Sequence, residues 1–159
     1  MGPSVIGGRG SRLTLLVLLL VTAGCDILGP DAQVDGLEEA RERWAATAPD
    51  PYTFAVERLC FCGPDARGPV RMIVSGGTIT SQVYVEGAAE VVGQATEWFP
   101  DVEGLFDVIQ DAIDRDAHTI QVTYDQVTGV PVDLWIDYEE FTADEELGFR
   151  VVEGVRAAS

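Results

Sequence analysis

Between Pro100 and Asp114 the chain carries apolar side chains at Val102, Leu105, Phe106, Ile109, Ala112 and Ile113. This is the i, i+3, i+4, i+7 spacing of a helix with one buried face. Asp101 precedes the stripe as a candidate N-cap, its carboxylate placed to accept a backbone N–H. On both sides of the stripe the period switches from 3.6 to two, the alternation of half-buried strands. Before it, Tyr52, Phe54, Val56, Arg58, Cys60 and Cys62 share one face of an expected strand over 52–62. Val70, Met72 and Val74 mark a second strand, and Ile79 to Val85 a third, joined to it by the two-residue hairpin signal Gly76-Gly77. After it, strands are expected over 119–125, 131–138 and 149–153, the first two linked by a turn in which Gly129 supplies a positive φ. A first helix runs from Val34 through Leu37, Ala40, the stem of Arg41 and Trp44, closed by Pro49 and Pro51. The stretch from Glu86 to Glu97 is Gly- and Ala-rich and looser. Strands joined by short turns, with helices between the blocks, imply an α+β fold. The expected architecture is an antiparallel sheet with helices packed on one face, in the order helix, three strands, helix, three strands. Residues 67–74 faintly echo residues 128–135, two units that are too few to establish a duplication.

The N-terminus reads as an export signal. Arg9 and Arg12 precede an apolar run beginning at Leu13, followed by Thr22-Ala23-Gly24-Cys25. The run of about eleven residues falls well short of the roughly 20 needed to cross a bilayer. Ala23-Gly24-Cys25 resembles the lipobox of bacterial lipoproteins, with Thr22 departing from the usual Leu, Val or Ile. That resemblance implies cleavage after Gly24, diacylglycerol on the Cys25 thiol, and a mature chain attached to the membrane through its N-terminal lipid. The chain then divides into a signal peptide, 1–24, a lipidated tether, 25–35, and one α+β domain, 36–159.

Charge excludes one class of partner. Two of the ten Arg and none of the 27 acids precede Cys25, and Lys is absent, so the part after the signal carries eight Arg against 27 acids, a balance of −19. Binding nucleic acid requires cations that neutralise phosphate, so no nucleic-acid partner is expected.

Chemistry concentrates in Cys60-Phe61-Cys62. An exported protein can keep a disulfide, and Cys60 and Cys62 form the one internal pair once Cys25 is lipidated. In a flat strand their Cβ atoms would stand about 6.6 Å apart, against roughly 4 Å in a bridge, so bonding requires a kink before Gly63-Pro64. Three readings stand side by side: a structural pair shielded by Tyr52, Phe54 and a helix; a thiol–disulfide redox couple with Arg58 as nearest cation; and half of a zinc site. His118 is the lone histidine, which leaves the zinc reading short of ligands. The acidic runs Asp137 to Glu140 and Asp144 to Glu146 hold oxygens suited to Ca²⁺, without the spacing of an EF-hand loop. No nucleophile elbow or phosphate loop is present. No catalytic residue, metal or cofactor is assigned. Trp44, Trp98 and Trp135 are expected in core or rim packing.

These landmarks together resemble a family of exported bacterial proteins with no assigned activity. The similarity is carried by the lipobox, by Tyr52-Thr53-Phe54 leading to Arg58-Leu59-Cys60-Phe61-Cys62, and by Val70 to Gly77. Leu105-Phe106 to Ala112, Tyr124-Asp125 with Gly129-Val130-Pro131, and Asp137 with Asp144-Glu145-Glu146 complete it. The resulting expectation is a membrane-tethered domain in the bacterial envelope, a non-enzymatic binding or envelope-maintenance module for an envelope protein or ligand. The alternative is a redox lipoprotein using Cys60 and Cys62.

Overall fold

The two alternating blocks join into one six-stranded antiparallel sheet, in the computed structural model, which describes residues 1–2, 30–142 and 144–158. All but the first two residues of the expected signal peptide, and Cys25 after it, lie outside the described residues. The elements are α1 (Pro30–Thr47), β1 (Tyr52–Leu59), the single helical turn α2 (Pro64–Arg67), β2 (Val70–Ser75) and β3 (Thr78–Tyr84). A 3₁₀ segment (Gly93–Trp98), α3 (Val102–Asp114), β4 (Thr119–Tyr124), β5 (Pro131–Asp137) and β6 (Leu147–Ala157) follow. Across the sheet the strands run β3-β2-β1-β6-β5-β4. This is the α+β architecture expected from the period switching, with α2 and the 3₁₀ segment added between its parts.

The order explains the long connection after β3. That strand lies at one edge and β4 at the other, so the chain must cross the whole sheet between them. Crossing over bare apolar side chains is favourable only if the crossing segment is itself apolar on one side, and α3 is that segment. Val102, Leu105, Phe106, Ile109 and Ala112 are buried on it, and Asp101 Oδ1 accepts the Gly104 N–H at 2.8 Å, the expected cap. Leu37, Ala40 and Trp44 of α1 join α3 over the inward residues Phe54, Val56, Met72, Val74, Leu134, Ile136 and Phe149. Arg41 contributes its stem as expected: its guanidinium stacks over the Phe106 ring at 5.2 Å and bonds Asp107 at 3.0 Å.

Among the described residues no helix covers the other sheet face, which carries charged side chains. Ala55 of the central strand is paired with Arg71 on β2 and Glu153 on β6. These two form an ion pair across it, and Ala55 is fully buried by them. Arg150 and Asp133 repeat the arrangement between β6 and β5 at 2.9 Å.

Several expectations are corrected. The first helix begins at Pro30, ahead of the Val34 expected for it. The first strand stops at Leu59, because Cys60 to Cys62 bend away and Pro64 opens α2. The last strand runs from Leu147 to Ala157, longer at both ends, because β1 and β5 flank it and satisfy both of its edges. The echoing segments are both middle strands of their blocks, β2 and β5. Tandem copies would place β1 and β4 alike, whereas β1 is central and β4 is an edge.

Candidate functional site

The pairing of β1 with β6 creates the site. Leu59 lies opposite Gly148, so the residues leaving β1 must lie beside those entering β6. Cys60-Phe61-Cys62 and Asp144-Glu145-Glu146 are thereby brought to the same end of the sheet. In the kink, the Cys60 and Cys62 Cα atoms are 5.3 Å apart and their sulfurs are at bonding distance, 1.92 Å. The shielded position beneath Tyr52 and Phe54 is not observed. Those rings occupy the opposite end of β1, where Trp44 meets Tyr52 edge-on at 5.2 Å. The two cysteines are half-buried, and Phe61 between them is 91% exposed.

Two clefts open on either side of this loop. The inner cleft, about 690 Å³, lies between α3 and the sheet end, with Asp107, Asp111 and Arg115 on one wall and Arg58, Tyr138 and Leu147 on the other. The outer cleft, about 470 Å³, lies on the bare face and is floored by Leu59 and Trp135, with Glu57 and Arg67 at its sides. Arg58, Cys60, Phe61, Asp144 and Glu146 border both. The alternation of β1 accounts for the split: Arg58 points to the helical side at the point where helical cover ends, and Glu57 and Leu59 point to the bare side.

Gly148 shapes the outer floor. A Cβ there would stand 2.9 Å from Trp135 Cε3 and 3.1 Å from Leu59 Cβ. With no side chain between them, these neighbours form one apolar surface across three strands. In the inner cleft the Arg115 guanidinium lies 4.2 Å from the centre of the Tyr138 ring and 3.2 Å from Asp111. Burial, then the Asp111 charge, raises the Tyr138 phenol above its ordinary value.

Two carboxylates of the acidic runs bond within their own loop. Glu145 Oε1 accepts the Glu139 N–H at 2.5 Å and Thr142 donates to Glu139 Oε2 at 2.7 Å. Among the described residues no three His, Cys, Asp or Glu converge to hold a metal ion. His118 is exposed in the turn before β4, its backbone N–H donating to the Tyr138 carbonyl at 3.3 Å.

The Tyr124-Asp125…Gly129-Val130-Pro131 motif also proves structural. Asp125 Oδ1 accepts the N–H groups of Val127 and Thr128 and the Thr128 hydroxyl at 2.7 to 3.0 Å. These hydrogen bonds to the ionised form hold its pKa below the usual carboxylate range. The turn it closes is pressed on α1: a Cβ on Gly129 would stand 2.1 Å from the Ala40 carbonyl oxygen. Tyr124 beside it is half-buried, and burial pushes its phenol up to about 12 against the opposing pull of Arg41 and Arg43.

The model of a family of unknown function, DUF6174, matches residues 36–156, which takes in every strand but the last residue of β6 and all of the site. The chain belongs to the DUF6174 family. No curated protein and no solved structure matches it. The matched span of this DUF6174 domain excludes the N-terminal segment, so the lipobox is a separate observation from membership. The acidic turn at 144–146 is visible only as a charge run in the sequence. Its meeting with Cys60 to Cys62 depends on a pairing between strands almost ninety residues apart, for which no local signal exists.

Proposed function

We propose that this DUF6174 chain is a lipid-anchored envelope domain that binds a partner through the trough around the Cys60-Phe61-Cys62 loop, without catalysis. The observation that carries this is Phe61. A large apolar side chain held outward on a short, cysteine-closed loop, between two clefts, is placed where a partner would cover it. The anchor rests on the lipobox, and several acyl chains at one terminus exceed the single-chain threshold for stable attachment. The charge network over Ala55 marks the rest of the bare face as solvated.

A photo-crosslinking residue placed at position 61 of the cell-expressed chain tests the binding reading. A defined adduct at 61 is expected, lost on Trp135→Ala and absent when the crosslinker is at exposed Thr80 at the far edge. Equal labelling from positions 61 and 80 would remove the trough as the binding surface. In parallel, Cys25→Ser is expected to lose all incorporation of a fatty-acid analogue, and retained label would end the lipoprotein reading.

One observation favours a second reading, thiol exchange: Cys60 and Cys62 both line the inner cleft. In such a step a thiolate of a reduced partner attacks one sulfur and the other leaves, taking up a proton. A second partner thiolate then resolves the mixed disulfide, leaving the partner oxidised and this chain reduced. Asp144 and Glu146 at the same rim outnumber Arg58 there and disfavour the thiolate that fast exchange needs. The expected result is therefore no multiple turnover when the chain oxidises a dithiol peptide with oxidised glutathione as the terminal oxidant. Catalytic transfer under those conditions would make exchange the activity.

A further inference from the structure

We propose that the trough takes an extended cationic polypeptide segment, its Arg or Lys side chains lying against Trp135 and Phe61 and facing Glu57, Asp144 and Glu146. This deepens the binding reading above and rests on it.

The first support is charge complementarity at the site itself. Six carboxylates and three guanidiniums line the two clefts together; with Arg115 paired to Asp111 and Asp107 to Arg41, four carboxylates remain against Arg58 and Arg67. The excess is therefore negative at the site, inside a molecule of net charge −17 whose field draws cations towards it. An acidic segment would meet that field as repulsion. The second support is the aromatic pair. Trp135 is seated over Gly148 by the missing side chain, so its face is offered with little ordering cost, and Phe61 stands exposed on the cysteine-closed loop beside it. An aromatic face beside carboxylates is the environment that attracts an ammonium or guanidinium with an aliphatic stem, since the ring takes the stem and the cation together. The third is shape. Clefts of about 690 and 470 Å³ meet at Phe61, and both have the size of ordinary ligand sites. A chain crossing Phe61 with side chains to either side fills both, whereas a small compact ligand fills one.

The test uses fluorescein-labelled nonapeptides of alternating Arg and Leu, or Glu and Leu, with fluorescence anisotropy on the full-length chain in detergent. The Arg peptide is expected to bind and the Glu peptide not to. Cation–π contacts at exposed sites are worth about 0.5–1 kcal/mol, and more when desolvated, so Phe61→Ala and Trp135→Ala should each weaken binding by about 3- to 10-fold. Neither substitution changes charge. Phe61 is 91% exposed, so Phe61→Ala should leave thermal unfolding unchanged. Trp135 is 36% exposed and packed over Gly148, so Trp135→Ala should lower the midpoint while keeping one cooperative transition that shows the fold intact. Ile73→Ala, an exposed apolar position elsewhere on the bare face, should leave affinity unchanged. Equal affinity in the wild type and both aromatic variants would show that the peptide responds to overall charge alone, and would overturn the proposal. So would equal binding of the Glu peptide, or a neutral oligosaccharide whose own binding is lost on Trp135→Ala when the Arg peptide does not bind. If the position-61 crosslink persists while the Arg peptide fails to bind, the cationic assignment falls and the binding module stands.

Discussion

Gly129→Ala should destabilise the domain by about 2–5 kcal/mol, read as a lower midpoint in urea unfolding with an unchanged slope. Two costs add. The residue has φ +79°, a conformation that costs a residue with a Cβ about 1–2 kcal/mol. The added methyl would also stand 2.1 Å from the Ala40 carbonyl oxygen and 3.0 Å from Arg43 Cβ, so the turn or α1 must move, at about 1–3 kcal/mol for overpacking. Gly76→Ala separates the two, because Gly76 also has positive φ, at +58°, and nothing lies within 4 Å of the place a Cβ would take there. It should show the conformational cost alone. If Gly129→Ala costs no more than Gly76→Ala, the β4–β5 turn does not bear on α1.

That contrast shows how unevenly the sequence speaks. At both glycines the turn is legible, because Gly-Gly between alternating strands and a Gly shortly before Pro131 each signal a local conformation. The pressure of Gly129 on Ala40 is not legible, since it joins residues almost ninety apart through a packing contact that leaves no pattern at either end. The strands of each block and α3 are readable because periodicity is a property of neighbours. The bend at Cys60 is readable in part: geometry requires a kink for bonding, yet alternation carries the expected strand on to Cys62, since half-exposed cysteines and buried ones keep the same spacing.

The site is less legible than the fold for the same physical reason. Cys60, Phe61, Cys62 and the run Asp144 to Glu146 are each conspicuous in the sequence. Their meeting follows from β1 pairing with β6, and the expectation that Tyr52 and Phe54 would cover the cysteines fails because a strand places its two ends far apart. Residues on one face of a strand share a side of the sheet without sharing a neighbourhood. Arg58 marks the boundary: it has the inward parity of Phe54 and Val56, but lies where α3 no longer covers the sheet, so the parity that buries them leaves Arg58 lining a cleft.

Leu105→Ala is expected to cost about 2–5 kcal/mol, the range for removing a large buried aliphatic side chain. Leu105 is fully buried on α3, in the core cluster with α1 and the inward strand residues, and Ile120, Val122 and Tyr124 of β4 pack against the edge of that cluster. The upper half of the range is expected because the surroundings resist collapse. Phe106 beside it is held under the Arg41 guanidinium, and the N-terminus of α3 is fixed by the Asp101 cap. A cavity at Leu105 therefore has stiff walls. Glu103→Ala, two residues away with its side chain 58% exposed and a 3.8 Å ion pair to Arg41, should change stability by no more than about 0.5 kcal/mol. The pair of measurements bears on more than the core. α3 supplies one wall of the inner cleft through Asp107, Asp111 and Arg115, on the side of the helix opposite the buried stripe. If Leu105→Ala loosens the helix without unfolding the sheet, Arg-peptide affinity should fall together with stability, because the wall and the stripe belong to one rigid element. A loss of only a few tenths of a kcal/mol would mean that α3 does not pack on the sheet as described, and the inner cleft would lose its fixed wall with it.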